Sequence, residues 1–327
     1  MWLMSVFALL AWSGSDLFSK AGTRQGDTYS HYKVGIAVGL VMGIHAFILI
    51  FSGQVSITFS DILVYLPASL LYILSMLLGY IGLRYIELSI SSPICNSSGA
   101  LALLLSLLFF GVTWNPDDES GAIFLNGPII LGVVLIVAGI IALGIVEYRE
   151  NDEARALRQQ LSGRRYTKSV LAILLPVLYC LLDTLGTFVD TVIADNYSSA
   201  LLEADPLLDS AVADSITGDV LNTAYELTWF LMAIVFAVYI FIIRREKPDK
   251  KYDGTKLLGG ICETVGQVFY MMVVVSDFKV GLVIISAYCA LSLVWSNLFL
   301  RERLSFRHWG AIASVLAGIV ILGFYDV

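Results

Sequence analysis

Long apolar runs broken by short polar connections dominate the chain. A helix needs about 20 apolar residues to cross a hydrocarbon core. Runs of that kind predict helices over 1–20, 33–51, 62–83, 89–111, 124–146, 168–194, 221–243, 255–275, 280–300 and 307–324. The first is short and carries Asp16. It has no basic leader and no small-residue cleavage site, so it reads as a first helix rather than a signal peptide. The predicted fold class is therefore an all-α membrane protein with ten transmembrane helices. A polar, basic linker over 150–167 divides the chain into a first five-helix unit, 1–149, and a second, 168–327. The second unit holds an acidic external loop, 195–220, in which 200–219 is expected to form a short surface helix.

Composition supports this reading: 58% of the 327 residues are hydrophobic and 14% charged, against about a quarter charged in soluble domains. The net charge of −7 matters less than its placement. Nineteen of the 20 Lys and Arg residues fall in the odd-numbered connections, and only Lys279 falls in an even one. The even connections carry Asp61, Asp117, Asp118, Glu119, the acids of 195–220 and Asp277. Basic loops favour the cytoplasm, which predicts an integral protein of the cell (inner) membrane with both termini outside. A wrong helix count would scramble this segregation.

The two units read as copies of one another. Ala138-Gly139-Ile140-Ile141-Ala142-Leu143-Gly144 in helix five matches Ala317-Gly318-Ile319-Val320-Ile321-Leu322-Gly323 in helix ten. Trp12 precedes Asp16 by four residues in helix one, and Tyr179 precedes Asp183 by four in helix six. Two five-helix copies in one chain must be inserted in opposite directions. Inverted repeats of this kind build secondary transporters, with the solute site near the midplane between the halves. Gly132, Gly139, Gly310 and Gly318 are read as helix-packing positions.

Three stretches resemble the drug/metabolite transporter superfamily, in particular its EamA-type ten-helix branch. They are Leu10-Ala11-Trp12-Ser13-Gly14-Ser15 with Phe18-Ser19-Lys20; Gly82-Leu83-Arg84-Tyr85 before a Ser-rich fourth helix; and Leu300-Arg301-Glu302-Arg303-Leu304-Ser305 with Gly310 and Ala317-Gly318. The first unit departs from the pattern, carrying Trp114-Asn115-Pro116-Asp117-Asp118-Glu119 where the second has Glu-Arg-Leu. The acidic loop is longer than the family usually carries, and the glycine-lysine motif of the nucleotide-sugar branch is missing. The resemblance implies a proton-coupled or facilitative carrier and leaves the solute open.

Carboxylates at membrane depth cost on the order of 3 kcal/mol each on insertion scales, and so point to a cavity or a function. Asp190 and Glu226 lie near helix ends, where they are expected to reach water. Asp16 has Lys20 one turn away, a possible structural ion pair. Asp183 and Glu263 have no such neighbour, which makes them the strongest candidates for solute contact or proton coupling, with Asp16 third. Desolvation disfavours a charged carboxylate, a property suited to a group that protonates once per cycle. Mid-span aromatic and amide residues complete the candidate set: Trp12, Tyr72, Asn96, Tyr179, Trp229, Gln267, Tyr270 and Tyr288. Glu263, Gln267 and Tyr270 share one helical face.

Aromatic faces beside carboxylates attract organic cations, each contact contributing roughly 0.5–2 kcal/mol, and no Lys or Arg lies deep in the predicted spans. The expected solute is thus a small cationic or zwitterionic metabolite: an amine, quaternary ammonium or amino acid. Export of neutral or aromatic compounds without proton coupling is the alternative. A channel or sensor is a different class, but a channel usually needs an oligomeric pore, whereas the repeat points to a monomeric carrier, with a dimer as the second possibility. His31, His45 and His308 are scattered and the acids unclustered, so neither an enzyme site nor a metal site is expected. Cys95, Cys180, Cys262 and Cys289 lie in apolar runs and read as buried hydrophobes. The expected partners are a solute and the bilayer, with no cofactor and no nucleic acid.

Overall fold

The computed structural model describes residues 2–24, 26–114, 123–160, 162–164, 166, 170–275, 284–285 and 287–325. Asn115 to Glu119, Lys168, Asp277 and Lys279 lie outside the described residues. The helices are α1 (Trp2–Gly22), α2 (Ser30–Phe51), α3 (Phe59–Gly82), α4 (Leu88–Cys95), α5 (Ser98–Phe110), α6 (Gly127–Arg149), α7 (Asp152–Gln159), α8 (Val170–Ala204), α9 (Ser210–Ala237), α10 (Lys250–Val275), α11 (Tyr288–Leu298) and α12 (Phe306–Tyr325). A two-residue parallel bridge joins Val112–Thr113 to Ile123–Phe124. Eight spans, counting α4 and α5 as one, are long and apolar enough to cross a membrane, the construction of an all-α membrane protein. The eight leave out α10 and α11, whose neighbouring turns run into residues outside the described ones.

Local chemistry sets the helix ends. Thr58 and Asp61 form a capping box at the start of α3. Asn126, Asn151 and Asp209 accept from first-turn amides of α6, α7 and α9, satisfying donors that a helix cannot satisfy itself. The start of α4 is capped from a distance. Glu302 accepts from the backbone N–H groups of Leu88 (3.2 Å) and Ser89 (3.0 Å) and from the Ser89 hydroxyl, so the acid of the Glu-Arg-Leu stretch serves as an anion at a helix N-terminus.

Three elements differ from the hydropathy reading. The fourth span is broken at Asn96–Ser97. Pro93 removes a backbone donor from its last turn, and the Ser97 hydroxyl donates to the Pro93 carbonyl at 2.7 Å. The acidic stretch 195–220 forms no separate surface helix. Instead α8 continues to Ala204 and α9 starts at Ser210, with a short turn between. Hydropathy senses only the part of a helix that lipid surrounds, whereas backbone hydrogen bonding continues into water. At 35 residues α8 is about 52 Å long, well beyond a hydrocarbon core of about 30 Å. The pair of arms is tied by Ser198, which donates to Asp214 at 2.6 Å, while Tyr197 on α8 donates to Asp61 at the start of α3 at 3.1 Å. Finally, the 150–167 linker contains α7, held by the Arg155 guanidinium on Glu147.

Four pairings organise the bundle: α1 on α10, α3 on α8, α2 on α9 and α6 on α12. Small residues permit the close approaches. A Cβ on Gly139 would lie 2.9 Å from the Ala311 carbonyl oxygen and 2.5 Å from Val315. A Cβ on Gly318 would lie 2.5 Å from the Gly132 carbonyl oxygen and 2.6 Å from Ile136. Gly310, by contrast, has nothing within 4 Å. It sits on the outward side of α12, and the packing role expected for it is not met.

Beyond the ends of α1 and α10, Asp27 accepts from Lys33 and Lys256, both at 3.2 Å. Burial pushes the Asp27 carboxyl up, but the Lys256 and Lys33 ammoniums outweigh it and hold the group below its ordinary value of 3.8. A depressed folded-state value stabilises the fold above the unfolded value and loses that contribution as the pH falls through the folded one. The thermal midpoint of the wild type in detergent is therefore expected to drop more steeply below about pH 4 than that of Asp27→Asn. Parallel slopes for the two proteins would remove this ion pair from the acid response.

Candidate functional site

Three carboxylates from three helices meet inside the bundle, each held by serine hydroxyls. Asp16 on α1 accepts from Ser92 on α4 at 2.7 Å and from Ser292 on α11 at 2.8 Å. Asp183 on α8 bonds the side chain of Ser98, the first residue of α5, and lies 3.3 Å from the Ser75 hydroxyl on α3, which also donates to the Tyr72 carbonyl at 2.8 Å. Glu263 on α10 bonds Ser15 on α1 and lies within electrostatic reach of both Asp16 and Asp183. Among the described residues, none of the three has a Lys, Arg or His partner.

The break in the fourth span is part of this construction. It brings the first turn of α5 to Asp183, and the positive end of a helix dipole favours an anion there. The ion pair weighed for Asp16 is not formed. Lys20 is completely buried and donates to the Leu83 carbonyl at 2.6 Å and to the Ile86 carbonyl, just beyond the end of α3. Its ammonium also lies 4.7 Å from the centre of the Tyr166 ring. An ammonium with three donors is better satisfied by two carbonyls and a ring face than by one carboxylate a turn away.

Aromatic rings surround the acids. Trp12 packs at 5.2 Å from Tyr270 and 5.7 Å from Tyr288, ring centre to ring centre. Tyr72 meets Tyr225 edge to face at 5.9 Å. Tyr179 lies over Gly79, where a Cβ would come within 2.8 Å of its ring. Trp12, Asp16, Tyr72, Asn96, Tyr179, Asp183, Glu263, Gln267, Tyr270 and Tyr288 are all half-buried, although their polar atoms and ring faces engage neighbours on facing helices. Each of them thus keeps part of its surface free while bonding or packing across the bundle.

The remaining candidates fall elsewhere or do something else. Trp229 is fully buried, with its backbone 2.3 Å from where a Cβ on Gly39 would stand. It is a packing residue between α9 and α2. Asn96 donates to the Cys289 sulfur at 3.2 Å and so bridges the broken span to α11. Gln267 donates to Asn222 on α9 at 3.0 Å. Asp190 is half-buried and accepts from Tyr65 at 2.7 Å and Tyr72 at 3.3 Å. Glu226 does not reach water as expected from its place near a helix end. It is completely enclosed, and His45 on α2 donates to it at 2.8 Å. Because α9 starts eleven residues earlier than hydropathy placed it, Glu226 lies in mid-helix.

Sequence reasoning missed the serine donors Ser15, Ser75 and Ser292, together with Tyr225 and Asn222. Serine in an apolar helix usually bonds its own backbone, and nothing in the sequence marks the ones that turn outward to an acid. One group of residues has the composition of a metal site: Glu147, Glu150 and His308 bring ligand atoms within 4.8 Å of one another. Arg155 already supplies the positive charge there, at 2.8 Å from Glu147 and 3.6 Å from Glu150, and His308 is further held by Ser305 at 2.6 Å.

No protein-family model matches the chain, and no curated protein does. Six solved chains resemble it. One of them, described only as "Crystal structure of protein", is 16% identical and superposes with a TM-score of 0.54 over 99% of this chain and 96% of its own. At that identity the likeness concerns the fold alone.

Proposed function

We propose that the chain is a secondary transporter of a small cationic or zwitterionic solute, working by alternating access between two inverted five-helix halves, as the resemblance to the EamA branch of the drug/metabolite transporters suggests. The reading counts α1, α2, α3, α4 with α5, and α6 as one half, and α8 to α12 as the other. Exchanging the halves turns α1-on-α10 into α8-on-α3 and returns α2-on-α9 and α6-on-α12 to themselves. The match extends to single residues. Trp12 lies on Gly266 as Tyr179 lies on Gly79, and Ser19 lies on Gly259 as Tyr72 lies on Gly186. Gly139 against Ala311 mirrors Gly318 against Gly132. Asp16 and Asp183 are then equivalent positions, and the space between the halves is the solute site.

One observation carries the proposal. Asp16, Asp183 and Glu263 converge among aromatic rings, and among the described residues no cationic side chain balances them. An organic cation supplies the missing charge and the rings bind its face. The basic connections place the ends of α1 and α10 near Asp27 at the cytoplasm, and the chain termini outside. The test is solute counterflow in proteoliposomes. Vesicles preloaded with the matching amine or amino acid, found by a thermal-shift screen of those classes, accelerate uptake of the labelled compound. Uptake indifferent to internal solute means a channel, and no binding across amines, quaternary ammoniums and amino acids removes the cation reading.

A further inference from the structure

A buried acid–base pair stands in the wall of the bundle, outside the central site. Glu226 on α9 is completely enclosed, and His45 Nδ1 donates to its two carboxylate oxygens at 2.8 and 3.0 Å. His45 is one quarter exposed. It lies at the floor of an outward-facing groove of about 410 Å³ between α2 and α10, lined by Val41, Ile44, Thr264, Val265 and Phe269. On the other side of Glu226 a chain of amides leads inward. Asn222 donates to Glu226 at 3.4 Å, and Gln267 donates to Asn222 at 3.0 Å. Gln267 shares a helix face with Glu263 and Tyr270. Four side chains from three helices thus form one hydrogen-bonded chain from the groove to Gln267, one turn from Glu263 on α10.

The direction of this chain follows from the ionisation of its outer end. A carboxylate only accepts, so Asn222 must turn its NH2 toward Glu226 and its carbonyl toward the Gln267 NH2. Gln267 is left with its own carbonyl oxygen for the central site. Suppose acidification first charges the His45 imidazole and then adds a proton to Glu226. Its O–H then donates to the Asn222 carbonyl, while its other oxygen still accepts from His45. The Asn222 NH2 turns to the Gln267 carbonyl, and the Gln267 NH2 faces the site. No covalent bond forms other than the N–H on His45 and the O–H on Glu226, and the hydrogen bonds from Glu226 to Gln267 are kept in both arrangements. We infer that His45 and Glu226 form a second proton-binding site, one that switches Gln267 between hydrogen-bond acceptor and donor toward the solute.

The surroundings isolate the pair. Tyr225 is its titratable neighbour on α9, and His45 faces it from α2. From α10 the group facing it is the amide of Gln267. On α3 and α8, Tyr65, Tyr72 and Asp190 bond one another. A cation at the central site is favoured by the acceptor state and opposed by the donor state, so proton uptake at the wall expels it without a proton entering the site.

This inference rests on the transporter reading, and the experiment separates the two. In infrared pH titration of the full chain in nanodiscs, a protonated-carboxyl band appears on acidification and is missing in Glu226→Gln. A band unchanged by that substitution overturns the proton site whatever the protein transports. Benzylammonium binding, followed by calorimetry, weakens about tenfold on the same acidification, the scale of one hydrogen bond to a charged group. In Asn222→Leu, which cuts the chain and leaves the pair, the pH dependence flattens while the infrared band stays. PH dependence that survives Asn222→Leu assigns it to the central acids and overturns the switch. If benzylammonium binds the wild type at no pH, the cation reading of the central site fails, and the infrared band still decides the proton site.

Discussion

Glu263→Gln and Asp183→Asn each abolish solute movement driven by a proton gradient, a loss of about 100-fold or more, as expected when a charge-assisted contact worth on the order of 3 kcal/mol is removed. Both substitutions keep the side-chain shape and leave a hydrogen-bonding group for Ser15 or Ser75, so the fold is retained. Under the proposed function, what they remove is the charge that a cation would meet and the group that would exchange a proton. The companion Asp16→Asn separates the roles further. Asp16 accepts two serine hydroxyls from α4 and α11, and an amide there can keep one or both contacts. Proteoliposome uptake with and without a pH gradient, beside counterflow at equal pH, reads both functions. Full gradient-driven transport in Glu263→Gln and Asp183→Asn would take both acids out of the mechanism.

The largest loss of stability is expected from Gly39→Ala. The added methyl would stand 2.3 Å from the Trp229 carbonyl oxygen and 2.7 Å from the Ala233 Cβ. The first obstacle is backbone, so no rotamer relieves it, and α2 must move away from α9. Overpacking of this kind costs about 1–3 kcal/mol. Gly310→Ala is the matched control. Its methyl meets nothing within 4 Å, and an outward substitution of that kind lies within about 0.5 kcal/mol of neutral. Thermal unfolding in one detergent compares the pair. Equal midpoints would mean that α2 and α9 do not pack as closely as the Gly39 contact implies.

The helical membrane class and most helix positions were legible in the sequence, because the bilayer imposes length and apolarity on every crossing segment. The packing role of Gly132, Gly139 and Gly318 was legible too, since helices that approach closely need small residues at the contact. The ends of α8 and α9 were not. Beyond the lipid, backbone hydrogen bonds, the Asp209 cap and contacts such as Ser198 with Asp214 extend a helix, and none of these registers as hydropathy. The acids of the site were legible as chemistry out of place, but their partners were not. Ser75 and Ser292 look like any serine on a small-residue face until tertiary packing aims them. Glu226 was misread for a related reason: its partner His45 lies 181 positions away, and only the fold joins them. Trp229 shows the converse, a mid-span aromatic that turns out to lie against the glycines of α2 and in an apolar cluster with Val34, Val38 and Met42.

The unbroken passage of α8 and α9 out of the bundle gives the protein an external lever. Pro176 lies near the start of α8 and the rest of the helix, about 40 Å, carries no further proline, so its tip follows the tilt of that segment. Leu207 sits in the turn at that tip and is 96% exposed. A tilt of about 10° would carry a point some 30 Å from the pivot through about 5 Å. If α8 tilts as the proposed alternating access requires, the movement is magnified at Leu207.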